Sequence, residues 1–262
     1  MLYKFLTYVN STSAGTTYSS IAYYICNHFS KVCKMNLEEL ADACYVSQAT
    51  ISRFCRSLGF ESFTNFKAEC QRSLKDGERR VNGVLSDIRS GDDEFKKSLR
   101  YYGEVILKEM KDLMDHLDLE QMDALLDQIY QTEDVAFFGI HRCASIIQEL
   151  QFSFALRDKF VKAYTGSALQ LECAKSLGKD SLAVVVVSAD DGFWFEAHDV
   201  MDALAVSPCS KILLTTTSDI QRKEVFDDVI LIGSGDRRTS LYTMTYYSEA
   251  IISRYFSKYQ SK

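Results

Sequence analysis

Proline is almost missing from this 262-residue chain: Pro208 is the only one, against an average usage of about 5%. That excludes a proline-rich linker, and it means helices must be ended by other devices. Long apolar runs are missing too. The longest strongly apolar stretch, Leu182–Val187, is strand-sized, far short of the roughly 18–20 residues a membrane-spanning helix needs. The N-terminal stretch MLYKFLTYVNSTSAG has one lysine and a short apolar patch without a clear export pattern. Zinc-ligand spacing is absent: the cysteines at 26, 33, 44, 55, 70, 143, 173 and 209 never form C-x-x-C, and only His28 and His141 lie within two residues of one. These cysteines read as reduced, mostly buried thiols of a cytoplasmic protein, acting as small apolar residues. No G-x-S-x-G, no G-x-G-x-x-G after a strand and no phosphate-loop lysine occurs, so neither a cofactor nor a catalytic activity is expected.

What is present fits a globular chain, with 47% apolar and 25% charged residues. Charge is unevenly spread. Residues 1–80 hold ten lysines and arginines against seven acidic residues, a net +3, which leaves −9 for the remainder of a chain whose total is −6. Nucleic acid is therefore to be sought at the N-terminal end. Up to about residue 75 the apolar spacing is helical, as in Ile21, Tyr24, Ile25 or Ile51, Phe54, Leu58. Residues 75–93 are polar, contain three glycines and lack a sustained apolar face, which predicts a linker. Helical spacing resumes from Phe95 to Leu117, and a short helix follows over Leu119–Tyr130. Five runs rich in Val, Ile and aromatics then alternate with helix-length segments: Val135–Phe138, Phe160–Tyr164, Leu182–Val187, Lys211–Thr215 and Asp228–Ile232. Such alternation predicts βαβ units and a parallel sheet, with a final helix through Leu241, Met244, Ile251 and Tyr255. The expected organisation is an all-α head over 1–76, a linker and connecting helix over 77–116, and an α/β body over 117–262.

The sharpest local signal is NLEELADACYVSQATISRFCRSLGF, residues 36–60. Asn36 with Glu39 makes a capping box, and Ser47 is a natural cap for a second helix that Gly59 ends. Ile51, Phe54, Cys55 and Leu58 share the buried face of that second helix, while Ala49, Ser52, Arg53 and Arg56 share the opposite one. The outer face is small and polar near its start, so base edges can approach, and two arginines follow for guanine or phosphate. Gln48 and Thr50 flank it, Gln48 being able to pair with adenine, and Ser47 with the first helical amides suits a phosphate. Lys67 and Arg72 supply further cations for the DNA backbone. This is the specification of a DNA-reading helix-turn-helix; the alternative is an ordinary helical hairpin with a solvated polar face.

Ser47-to-Phe60, SQATISRFCRSLGF, followed by F-x-x-F-K at 63–67, resembles the RpiR/MurR family of bacterial sugar-metabolism regulators. The resemblance implies an N-terminal helix-turn-helix domain and a C-terminal sugar isomerase (SIS) domain, a three-layer sandwich on a five-stranded parallel sheet. Tyr45 stands where such turns usually carry glycine, and a well-packed tyrosine is expected to absorb the left-handed cost of about 1–2 kcal/mol. In the body the family pattern G-x-G-x-S reads Gly139, Ile140, His141, Arg142, Cys143, and S-x-S-G-x-T reads Ser188, Ala189, Asp190, Asp191, Gly192, Phe193. By resemblance Gly139, His141, Arg142, Cys143, Ser188, Asp190 and Asp191 are candidate ligand residues. A carboxylate about 5 Å from a phosphate charge opposes binding by roughly 3 kcal/mol at an effective dielectric of 20. The acidic pair therefore argues against a sugar phosphate, unless His141 and Arg142 offset it or themselves pair with the aspartates. The expected partners are a pseudo-palindromic double-stranded operator, a sugar, amino-sugar or sugar-phosphate effector, and further copies in a homodimer or tetramer, with no membrane. The other class of reading is a sugar-phosphate isomerase or binding protein with an accessory helical domain.

Overall fold

A computed structural model of the chain describes residues 2–12, 15–85, 92–189 and 193–259. They divide into two compact units, Met1–Gly83 and Val84–Lys262.

The first unit is all helical: α1 (Leu2–Ser11), α2 (Thr17–Asn27), α3 (Phe29–Val32), α4 (Leu37–Ala43), α5 (Gln48–Ser57) and α6 (Phe63–Leu85). Capping boxes start two of these helices. Thr16 and Ser19 exchange 3.0 Å hydrogen bonds at α2, and Asn36 and Glu39 exchange bonds of 2.9 and 2.7 Å at α4. The core gathers Phe5, Ile21, Ile25, Leu40, Ile51, Phe54, Phe66 and Cys70 from five different helices. Phe5 lies at its centre, with ring centroids 5.8 Å from Phe66, 6.4 Å from Phe29 and 6.5 Å from Phe54. The N-terminal apolar patch is thus a core helix. With proline scarce, left-handed residues turn the chain. After α5, Gly59 (φ +89) lets Phe60 N–H reach the Cys55 carbonyl at 3.0 Å and Gly59 N–H reach Arg56 at 2.9 Å, a Schellman motif.

The polar segment 75–93 is helical through Leu85 and again from Asp92, residues 86–91 lying outside the described range. Its Lys, Glu and Arg are good helix formers, so polarity alone does not break a helix there. In the second unit α7 (Asp92–Asp115) and α8 (Leu119–Gln131) precede the sheet. There follow β1 (Asp134–Phe138), α9 (His141–Ala155), β2 (Lys162–Ala163), α10 (Ser167–Ser176), β3 (Ser181–Val187), α11 (Phe193–Glu196), α12 (His198–Val206), β4 (Ser210–Thr215), β5 (Asp228–Leu231) and α13 (Ser240–Lys258). All strands are parallel in the order β2-β1-β3-β4-β5. β3 is buried along its whole length, which is why its sequence is continuously apolar. Alternate residues feed opposite faces. Val135, Phe137, Val184 and Val186 pack with α8, α9 and α13, while Ala136, Phe138, Val185 and Val187 pack with α10 and α12. The result is the expected three-layer α/β sandwich. β2 is shorter than the predicted Phe160–Tyr164, because an edge strand has one neighbour, and Phe160 and Tyr164 are left exposed.

α7 belongs to this second unit. Its buried Glu109 accepts from the backbone N–H and hydroxyl of Ser234, both at 2.7 Å, and Tyr102 donates to the Arg238 carbonyl at 2.8 Å. Gly233 (φ +71) makes the turn that receives Glu109, since a Cβ there would lie 2.5 Å from its Oε1. No helix among the described residues is long and apolar enough to cross a membrane.

Candidate nucleic-acid interface and ligand crevice

α4 and α5 form the hairpin predicted for DNA reading. Ile51, Phe54 and Cys55 are wholly buried, and Phe54 meets Tyr8 and Tyr18 edge-on. Ser47, Gln48, Ala49, Arg53 and Arg56 are exposed, and Thr50 and Ser52 are half-buried. Ala49, Ser52, Arg53 and Arg56 share the outer face of α5, with Gln48 and Thr50 at its two margins and Ser47 at its cap. Their hydroxyls are partly used at home. Ser47 Oγ accepts from Thr50 N–H at 3.2 Å and lies 2.9 Å from Thr50 Oγ1, and Ser52 donates to the Gln48 carbonyl at 3.0 Å. Arg53 Nε donates to the Ala49 carbonyl at 3.3 Å, which lays its stem along the helix start. Two other cations have structural work: Lys67 donates to the Lys34 carbonyl at 3.0 Å, and Arg72 pairs with Glu69 at 2.5 Å.

The turn between the helices holds a correction. Tyr45 has φ +55, and the reversal lets Tyr45 N–H reach Asp42 and Val46 N–H reach Ala41, both at 3.0 Å. It is a Schellman motif with tyrosine in the glycine position. The side chain does not pack, however: Tyr45 is 96% exposed. The expected packing compensation is absent. The head thiols behave as apolar filler, burial pushing Cys44 up to about 11 and Cys55 up to about 12.

In the second unit, the strand order reverses between β1 and β3, and ligands of open parallel sheets sit outside the strand ends at such a switch point. The loops after these two strands are those that carry the candidates. Gly139 is fixed by packing, because a Cβ would fall 2.6 Å from Ile147 Cδ1 and 3.1 Å from the Val186 carbonyl oxygen. His141, where the family pattern has its second glycine, takes φ +51, so the backbone keeps the left-handed shape without the glycine. Its Nε2 lies 3.2 Å from Glu196 Oε2, and the imidazole is almost covered. Burial raises the Glu196 carboxyl, the His141 hydrogen bond lowers it, and the net shift is downward. Cys143 and Ser188 are buried, and Arg142 is half-buried. Asp190 and Asp191 lie outside the described residues.

Three residues that the sequence did not mark contact these loops. Glu196 comes from α11, buried Gln170 donates from α10 to the Gly139 carbonyl at 2.9 Å, and Thr216 Oγ1 accepts from Ala189 N–H at 3.0 Å. Trp194 packs edge-on against Phe193 and Phe226, in support of the sandwich. Among the described residues no group of acidic, histidine or cysteine side chains could hold a metal ion.

An all-helical head with an exposed, capped second hairpin helix, followed by a five-stranded parallel α/β sandwich, defines a two-unit protein of a helix-turn-helix head and an α/β body. Residues 4–77 match the model of the rpiR-family helix-turn-helix domain, to which the head is similar. An uncharacterised HTH-type transcriptional regulator of Caldanaerobacter subterraneus is 24% identical over 66% of this chain and 60% of its own length. The HTH-type transcriptional regulator HexR of Pseudomonas aeruginosa is 26% identical over 58% of this chain and 52% of its own. The chain thus spans under two thirds of the length of these relatives. Among solved structures, the Vibrio vulnificus NanR protein complexed with ManNAc-6P superposes with a TM-score of 0.50 at 14% identity, covering 98% of this chain and 92% of that one. That likeness is one of fold.

Proposed function

We propose that the chain is a bacterial transcriptional regulator of the RpiR type, acting in the cytoplasm, whose head reads DNA and whose body binds a sugar-related metabolite without transforming it. The observation that carries this is the rpiR-family head together with its exposed α5 surface. Ser47, Gln48, Ala49, Thr50, Ser52, Arg53 and Arg56 face the duplex, the arginines supplying base or phosphate contacts. One recognition helix buries too little surface for typical specific affinity, so two or more copies reading a pseudo-palindromic operator are part of the proposal. The named relatives are transcriptional regulators, in keeping with this reading over that of an isomerase. His141, just after β1 at the start of α9, is engaged by Glu196 and poorly placed to act as a base on a sugar carbon.

The NanR complex with an amino-sugar phosphate supports a sugar-related ligand for the body. Within the candidate set Gly139, His141, Arg142, Cys143, Ser188, Asp190 and Asp191, the His141–Glu196 pair adds a carboxylate beside the loops. That charge favours hydroxyl or amine donors over a phosphate dianion. The test is selection of duplexes from a random pool by the full chain, followed by titration of Arg53→Ala, expected to lose about 1–3 kcal/mol of affinity. Undiminished binding by Arg53→Ala refutes the recognition-helix assignment. Calorimetry with ManNAc-6P and ManNAc decides the ligand: micromolar binding of the phosphate ester would show that the electrostatic argument fails.

A further inference from the structure

We propose that Tyr45 is itself a DNA-contacting residue, its exposed phenol reaching the phosphate–sugar backbone beside the groove that α5 enters. The inference rests on the helix-turn-helix reading above and extends it to a residue outside the recognition helix. Three observations converge on this position. The turn demands a left-handed residue, since the Val46 N–H to Ala41 hydrogen bond closes only with φ near +55 at Tyr45. Glycine fills that position without steric cost, whereas a bulky ring there is a backbone outlier. The ring gains nothing in return from the fold, being 96% exposed and making no side-chain hydrogen bond or ring contact among the described residues. A residue that burdens the backbone and contributes no packing points to a role outside the folded unit.

Its place says which role. Tyr45 lies two residues before Ser47, the cap of α5, and so sits at the helix end that enters the major groove in helix-turn-helix docking. A phenol there has the chemistry DNA backbones accept: an O–H to donate to a phosphate oxygen and an apolar ring to lie against a deoxyribose. Being uncharged, it displaces no condensed counterion, which separates its signature from that of a lysine or arginine.

The experiment uses the full chain and a duplex selected by the wild-type protein from a random pool. Tyr45→Gly is expected to raise the thermal midpoint of the head by a few degrees, because the left-handed cost is relieved, while lowering affinity for the duplex about tenfold. The slope of affinity against salt should be unchanged. Tyr45→Phe divides the loss between hydroxyl and ring, and Tyr45→Asn, which tolerates the left-handed backbone, should lose affinity like glycine. A Tyr45→Gly protein that binds as tightly as wild type overturns the proposal. So does one whose lost affinity comes with a lowered midpoint, since that marks a loosened turn. Arg53→Ala runs alongside: if it binds normally, or if the wild type selects no duplex, the helix-turn-helix reading falls and the proposal with it. If Arg53→Ala weakens and Tyr45→Gly does not, only the proposal falls.

Discussion

Alanine at position 139 should loosen the α/β body by an amount the structure allows to be worked out. The new methyl would stand 2.6 Å from Ile147 Cδ1, 3.2 Å from Cys143 Cβ and 3.1 Å from the carbonyl oxygen of Val186. Ile147 Cδ1 ends a side chain and can swing, but it is buried and must displace a neighbour. Val186 is backbone of the central strand and cannot yield without disturbing β3. Overpacking of this kind costs about 1–3 kcal/mol, and alanine's smaller unfolded-state entropy offsets about 0.4–1 kcal/mol. The net loss is about 1–2 kcal/mol, or a midpoint lowered by roughly 2–8 °C for a domain of this size. Trp194, the only tryptophan, lies in the body and reports its transition by fluorescence. Adding Ile147→Val removes the clashing methyl. Alone it costs about 0.5–1.5 kcal/mol, and in the double variant the loss should be clearly less than the sum. A Gly139→Ala body that melts at or above the wild-type temperature, or strictly additive losses, would refute the steric reasoning.

Phe54→Ala removes a wholly buried ring shared with Phe5, Tyr8 and Tyr18 and should cost about 3–5 kcal/mol. Circular dichroism should show a lost helical transition and gel shifts a loss of DNA binding, with the Trp194 transition kept. Cys33, Cys55 and Cys70 should resist iodoacetamide at neutral pH in the native protein, because burial keeps Cys55 and Cys70 protonated; rapid labelling seen by mass spectrometry would contradict their placement. Asp134 is raised by burial but lowered more by Lys162 and by Ser181 at 2.8 Å, so its net shift is downward. A depressed carboxyl stabilises above its unfolded value near 4 and loses that contribution as pH falls through its folded one. Asp134→Asn, partly exposed, should therefore cost under about 1 kcal/mol at pH 7 in urea titrations, and the difference from wild type should disappear in acid. Light scattering of the full chain should give at least a dimer; a micromolar monomer with full operator affinity would contradict the avidity argument.

The parts legible in the sequence were those whose causes are local. The caps at Asn36 and Ser47, the apolar spacing of Ile51, Phe54 and Cys55 and the stop at Gly59 all lie within 24 residues, and the hairpin follows them. Strands β1, β3, β4 and β5 fall within one residue of their apolar runs. α1 was illegible because the partners of Phe5 lie 24, 49 and 61 residues along the chain. The crevice was half legible for the same reason: the loops are marked by motif, but Glu196 reaches His141 from 55 residues away and Gln170 reaches Gly139 from 31. Tyr45 was legible in backbone and not in side chain, since a left-handed turn is set by its neighbours while exposure is set by what the tertiary fold leaves uncovered.

The enclosure of β3 has a consequence in time. Its seven residues are buried and it is hydrogen-bonded to parallel neighbours on both sides, so its amides meet solvent only when the sheet itself parts. Deuterium uptake along β3 therefore measures the opening lifetime of the body, and uptake along α5 measures that of the head. The two sets of amides can be read in one sample, as two independent clocks on a single chain.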